Sequence, residues 1–196
     1  MMRIITGSAK GVRLATLDGE NTRPTTERAK EAVFSMLQFD IEGRRVLDLF
    51  AGSGQMGLEA LSRGAASAVM VDHAKAAVDI IHKNIEKTKL EGASVVCSDA
   101  LEYLRKCRRS SDEKFDIVFI DPPYAEKVIP TVLGLLLEGR KIKRTALIVC
   151  ESGSYEDVFG KNASLAERFE IIRTVRHGIS HITLLTPKKG DGEENE

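Results

Sequence analysis

From Arg45 onward, apolar residues fall into two alternating kinds of run. Short continuous stretches occur at Arg45–Leu49, Ser67–Val71, Ser94–Cys97, Phe115–Ile120 and Thr145–Cys150. Between them, at Met56–Arg63, Lys75–Thr88, Ala100–Lys106 and Ile129–Leu137, the pattern is helical. Continuous runs suit strands buried on both faces, and periodic ones suit amphipathic helices. Their alternation predicts a doubly wound, Rossmann-like α/β fold with a mostly parallel sheet. Phe169–His177 and Ser180–Thr186 flank Gly178 with little room for a helix, so they predict an antiparallel C-terminal pair at one sheet edge. Two elements precede the alternation. Arg3–Thr6 and Val12–Thr16, joined by a Gly-containing loop, predict a small β-hairpin. Ala29, Val33, Met36 and Leu37 recur at helical spacing and predict a helix over Ala29–Phe39. The expected organisation is a hairpin extension over 1–22, a main domain over 23–187 and an acidic, disordered tail over 188–196.

A length of 196 residues suits a single domain, and 42% hydrophobic and 30% charged residues are ordinary for a soluble globular chain. No apolar run approaches the roughly 20 residues that cross a bilayer. Met1–Gly7 lacks the apolar core of a signal peptide, which predicts a cytoplasmic protein. Cys97, Cys107 and Cys150 are odd in number and widely spaced, and His73, His82, His177 and His181 have no metal-ligand spacing. Neither a disulfide framework nor a metal centre is expected, and Cys97 and Cys150 are expected to be buried as small hydrophobes. The net charge of zero hides an uneven distribution. The first thirty residues carry Arg3, Lys10, Arg13, Arg23, Arg28 and Lys30 against Asp18, Glu20 and Glu27. A structured basic arm of this kind predicts contacts to RNA phosphates by Arg3, Lys10, Arg13, Arg23 and Arg28. The clusters Arg105–Arg109 and Arg140–Arg144 read as ordinary solvated faces or loops.

Two segments carry candidate chemistry. Asp48-Leu49-Phe50-Ala51-Gly52-Ser53-Gly54-Gln55-Met56-Gly57 leaves the first sheet strand and opens a helix, the place where open α/β sheets bind ligands. Its G-x-G-x-x-G spacing admits a dinucleotide or S-adenosylmethionine. Asp48 favours the latter, since a carboxylate there repels a pyrophosphate and attracts an ammonium group. Asp72 ends the second strand where an acid accepts from ribose hydroxyls, and Asp99 suits an adenine amino group, a helix N-cap, or both. Asp121-Pro122-Pro123-Tyr124 follows the buried run Phe115–Ile120. The prolines stiffen the turn and remove two donors, which leaves an acceptor-rich surface beside the flat face of Tyr124. Such a turn suits the grip of a planar amino group.

Asp48–Gly54 with Gly57–Ala65 resembles the first motif of class I S-adenosylmethionine-dependent methyltransferases, and Asp121–Tyr124 resembles the fourth motif of their amino-methylating branch. Met2–Gly7, Lys10-Gly11, Arg23-Pro24-Thr25 and Glu31–Leu37 are similar to the bacterial 16S rRNA guanine-N2 methyltransferase family that modifies guanine 966. Gln55-Met56, Asp72 and His177 depart from the family pattern without removing a group the chemistry needs. The resemblance spans about residues 2–186 and implies S-adenosylmethionine held by Asp48, Phe50, Ala51, Gly52, Gly54, Asp72, His73, Asp99, Ala100 and Asp121. It implies catalysis by Asp121, Pro122, Pro123 and Tyr124 on small-subunit RNA or particles. An accessible RNA face without an obvious exposed apolar stripe fits a monomer. Methylation of DNA amino groups or of a protein glutamine amide uses the same kind of turn, and a dinucleotide-dependent oxidoreductase is a more distant reading.

Overall fold

The computed structural model describes residues 2–16, 27–107, 110, 113–123 and 126–188. Strands β1 (Arg45–Asp48), β2 (Ser67–Asp72), β3 (Ala93–Cys97), β4 (Phe115–Ile120) and β5 (Ile142–Ser152) pair in parallel. Strands β6 (Phe169–His177) and β7 (Ser180–Pro187) complete the sheet through antiparallel pairings, giving the order β3-β2-β1-β4-β5-β7-β6. Helices α1 (Glu27–Met36), α2 (Gln55–Ser62) and α3 (Lys75–Thr88) contribute Val33, Phe34, Leu58 and Ile81 to an apolar layer that also holds Met70 of β2. Helices α4 (Ala100–Lys106), α5 (Ile129–Glu138) and α6 (Ala163–Ala166) contribute Leu104, Leu133, Leu136 and Leu165 to a second layer with Val118 and Ile148. Residues on β4 serve both layers, which is why Phe115–Ile120 is apolar without alternation apart from Asp116.

Several details differ from the sequence pattern. Helix α1 stops at Met36 because the chain turns there, with Asp40 N–H bonded to the Leu37 carbonyl at 2.9 Å, and this leaves Phe39 89% exposed. Strand β5 begins three residues before Thr145, so the basic run Arg140–Arg144 is partly strand, with Lys141 buried and Lys143 bonded to Asp116 at 2.8 Å. A 3-10 turn at Tyr155–Val158 and the single turn of α6 are too short to carry a period. Cys150 is buried, but Cys97 is exposed, because it is the last residue of the edge strand β3.

The N-terminal segment makes one antiparallel bridge, Arg3 to Arg13, instead of a full ladder. Turns end the pairing, with Lys10 N–H on the Gly7 carbonyl and Val12 N–H on the Ala9 carbonyl, both at 3.2 Å. The outer side of the arm rests on α2. Glu59, fully buried, accepts the N–H groups of Ile5 at 2.8 Å and Thr6 at 3.0 Å, and Ser62 Oγ donates to the Thr6 carbonyl at 2.7 Å. Within the arm the pairing groups are satisfied as well, with Ile4 N–H on the Val12 carbonyl and Leu14 N–H on the Met2 carbonyl, both at 3.0 Å. Gly7 closes this contact: its φ is +88°, and a Cβ there would sit 1.7 Å from the Ser62 carbonyl oxygen.

Glu59 also pairs with Lys30 at 3.2 Å and with Arg63 at 2.9 Å. Burial holds the Lys30 ammonium below the usual lysine range, and the Glu59 carboxylate opposes that shift. Removing one partner of a buried pair strands the other charge. Glu59→Ala is therefore expected to lower the unfolding free energy by about 3–5 kcal/mol in a urea titration. The double variant Lys30→Met with Glu59→Gln should lose less, since it removes the buried ammonium together with the carboxylate and leaves only the partly exposed Arg63 without its ion partner; an equal or larger loss would contradict this account.

Candidate active site

The parallel strands deliver their acids to one edge of the sheet. Asp48 ends β1, Asp72 ends β2, Asp99 follows β3 and Asp121 follows β4. Strand β1 lies between β2 and β4, so the chain crosses to opposite sides after it, which opens a crevice at this edge. Gly54 takes φ +76° at the N-terminus of α2, and the carboxylate of Asp72 accepts Gly52 N–H at 2.8 Å and Ala74 N–H at 2.9 Å. Asp99 caps α4 by accepting Glu102 N–H at 2.9 Å while its exposed side chain still borders the crevice.

A cleft of about 120 Å³ occupies this edge. Of the ten residues expected to hold a cofactor, Phe50, Asp72, His73, Asp99 and Ala100 line it, together with Pro123 of the acceptor turn. Ala51, Gly52 and Gly54 form the loop at its margin without lining it, and Asp121, half-buried, is not among the lining residues either. Leu49 and Glu126 line it unforeseen. Glu126 closes the turn, its N–H bonded to the Pro123 carbonyl at 2.8 Å. A second, smaller recess is lined by Pro122, Glu126, Glu151, Ser152 and Asp157 among others. Glu126 and the turn border both.

Asp48 is 3% exposed and lies beneath the loop, where its carboxylate accepts Gly57 N–H at 3.2 Å. Burial raises its pKa to about 7, with a smaller contribution from the neighbouring Asp72 charge, while the backbone bonds from Gly57 and Phe50 oppose the rise. No ion pair of Asp48 occurs among the described residues. A ligand ammonium group would supply the missing positive charge. The donor set of this edge, acids for amino and hydroxyl groups beside the apolar faces of Leu49 and Phe50, fits S-adenosylmethionine.

Among the expected RNA contacts, Arg3, Lys10, Arg13 and Arg28 are exposed, with Arg3 also paired to Glu27 at 3.1 Å. Lys30 belongs to the core instead. Arg23 and Tyr124 lie outside the described residues. Also among the described residues, no group of three His, Cys, Asp or Glu side chains could hold a metal ion, and no helix is long and apolar enough to cross a membrane.

This fold and this edge define a class I S-adenosylmethionine-dependent methyltransferase. Within the class, residues 2–186 match the family model described as Conserved hypothetical protein 95, and the chain belongs to that family. Ribosomal RNA small subunit methyltransferase D of Escherichia coli (strain K12) is 37% identical over 77% of this chain and 74% of its own length. The Haemophilus influenzae protein of the same name is 36% identical over 77% of this chain and 78% of its own. Among solved structures, yhhF from Escherichia coli superposes with a TM-score of 0.82 at 33% identity, covering 95% of this chain and 98% of that one. The dinucleotide reading of the glycine loop gives way to the methyl donor.

The buried Asp48 has two measurable consequences. At pH 7 a group with a pKa of about 7 is about half protonated. Binding of S-adenosylhomocysteine, whose ammonium group would draw that pKa down, should release up to about half a proton per ligand. Calorimetry in buffers of different ionisation enthalpy reads this directly, and Asp48→Asn should abolish it. The ligand-free protein should also carry the signature of a raised acid: the folded state holds the proton more tightly than the unfolded one, so stability falls as pH rises from about 4 to about 7. Asp48→Asn is expected to gain on the order of 2–4 kcal/mol at pH 8 and nothing below pH 4, measured by urea midpoints.

Proposed function

We propose that this protein methylates the exocyclic N2 amino group of a guanine in small-subunit ribosomal RNA, with guanine 966 of 16S rRNA as the position the sequence resemblance implies. The observation that supports the reading is that the Asp121-Pro122-Pro123 turn borders the cofactor cleft, which Pro123 lines. An amine gripped at the turn would lie beside that cleft. The exposed cations of the N-terminal arm support an RNA partner, and the names of the relatives support ribosomal RNA. In this reading the enzyme works as a monomer in the cytoplasm on small-subunit RNA or particles.

The residues act on the nitrogen. A guanine amino group is a weak nucleophile because its lone pair is delocalised into the ring. The Asp121 carboxylate and the Pro122 carbonyl accept its two hydrogens, which favours a pyramidal nitrogen and aims the lone pair toward the cofactor cleft. Bound S-adenosylmethionine supplies an electrophilic methyl group there. Asp121 stabilises the positive charge that grows on nitrogen and receives the proton that must leave. Tyr124 offers a stacking face for a base drawn from its surroundings, an unpaired loop nucleotide being the accessible kind. No histidine is needed as a base.

Transfer of tritiated methyl to small-subunit RNA or particles tests the reading. The wild-type protein should label guanine as N2-methylguanosine, identified by nuclease digestion and mass spectrometry. Asp121→Ala should reduce the rate by about 10²-fold or more, the scale seen when a group that stabilises transition-state charge is removed. Labelling of DNA or of a glutamine amide in place of RNA would redirect the assignment, and equal rates for wild type and Asp121→Ala would remove the turn from the mechanism.

A further inference from the structure

Asn84, fully buried on α3, commits its whole amide to two distant stretches of chain. Its Oδ1 accepts Ala15 N–H at 2.7 Å, and its Nδ2 donates to the Ala15 carbonyl at 3.0 Å and to the Ser53 carbonyl at 2.9 Å. Ala15 belongs to the N-terminal arm. Ser53 is the middle residue of Gly52-Ser53-Gly54, the loop at the cofactor cleft.

The other bonds that hold this loop come from the sheet: Ala51 N–H to the Val71 carbonyl at 3.0 Å, Gly52 N–H to Asp72 at 2.8 Å, and Gly57 N–H to Asp48 at 3.2 Å. Those anchors sit in packed strands and do not depend on the arm. Two links do. One is Asn84, and the other is the Ser53 hydroxyl against the Met2 sulfur at 2.9 Å, which is a weak acceptor. Asn84 is the stronger, because a buried amide that releases one partner leaves a donor or acceptor unsatisfied. Its orientation is set by the Ala15 pair, and that orientation fixes the Ser53 carbonyl.

We infer that Asn84 is a positioning residue that couples the N-terminal arm to the cofactor loop, so that RNA on the arm tightens binding of the methyl donor. The inference rests on the RNA and cofactor reading above. RNA that fixes the arm stabilises the arrangement in which the loop is already shaped for the cofactor. Reciprocity then requires the cofactor to tighten RNA binding by the same factor. The device favours loading of donor and acceptor together.

The test uses the full chain. Calorimetric titration with S-adenosylhomocysteine, with and without saturating small-subunit RNA, gives the coupling ratio, and filter binding reports RNA affinity separately. The wild-type Kd for S-adenosylhomocysteine should fall at least about 5-fold when RNA is bound. In Asn84→Ala both ligands should still bind, but the ratio should drop below about 2. A merely structural role would weaken either affinity and leave the ratio unchanged. Should Asn84→Ala fail to fold by circular dichroism, Asn84→Ser decides by the same criterion, since its small neutral hydroxyl fits the space and cannot make all three bonds. A wild-type ratio near 1 with RNA bound, or the full ratio retained in the variant, overturns the coupling alone. Wild-type protein that binds no RNA overturns both the coupling and the RNA reading, and the filter assay identifies that case.

Discussion

A carboxylate sealed from water must be answered by donors, and Glu59 places that demand where the arm, α1 and α2 meet. Ile5, Thr6, Lys30 and Arg63 answer it. Arg63 in turn lies 4.6 Å over the Phe34 ring, and Phe34 packs 5.7 Å from Phe119, two residues before Asp121. A buried ion pair gains little net stability over an apolar replacement, because desolvation offsets the attraction. Its effect here is on arrangement: an arm laid differently would leave the carboxylate or the ammonium unpaired. The same constraint holds the outer side of the short hairpin, whose inner donors at Ile4, Gly11 and Leu14 pair within the arm.

The fold was legible because its signal repeats. Five continuous apolar runs alternating with periodic ones leave few arrangements other than a covered parallel sheet, and the short link at Gly178 leaves β6 and β7 antiparallel. What the pattern could not carry was anything decided by a single distant partner. Lys30 looked like one more cation of a basic arm, and only the position of Glu59, twenty-nine residues on, turns it inward. Cys97 sits in an apolar run like Cys150, but edge and centre of a sheet are properties of strand order, which local periodicity does not report.

The site divides along the same line. Acids at strand ends are visible in sequence because strand ends are visible, and so Asp72 and Asp99 were found at the cleft. Asp48 was found for its charge, yet its depth beneath the loop and its raised pKa follow from packing that no spacing reveals. Asn84 left no mark at all. A polar residue in a helical run reads as a solvated position, and its burial between two loops depends on where α3 lands on the sheet.

The zero net charge hides two regions of opposite sign. At the cleft edge, Asp48, Asp72, Asp99, Asp121 and Glu126 gather within a few residues of the strand ends, and Glu151 lines the second recess. Such an edge repels a pyrophosphate and attracts a cationic ligand, and S-adenosylmethionine carries positive charge on both sulfur and ammonium. The product lacks the sulfonium charge, so the same acids hold it less strongly, which favours exchange after each turnover. An acidic edge would also repel an RNA phosphate backbone. In the proposed function the arm would resolve the conflict: its exposed cations sit on a separate element, pinned through Glu59 and Asn84, where they would hold phosphates away from the acids while a single base entered the turn.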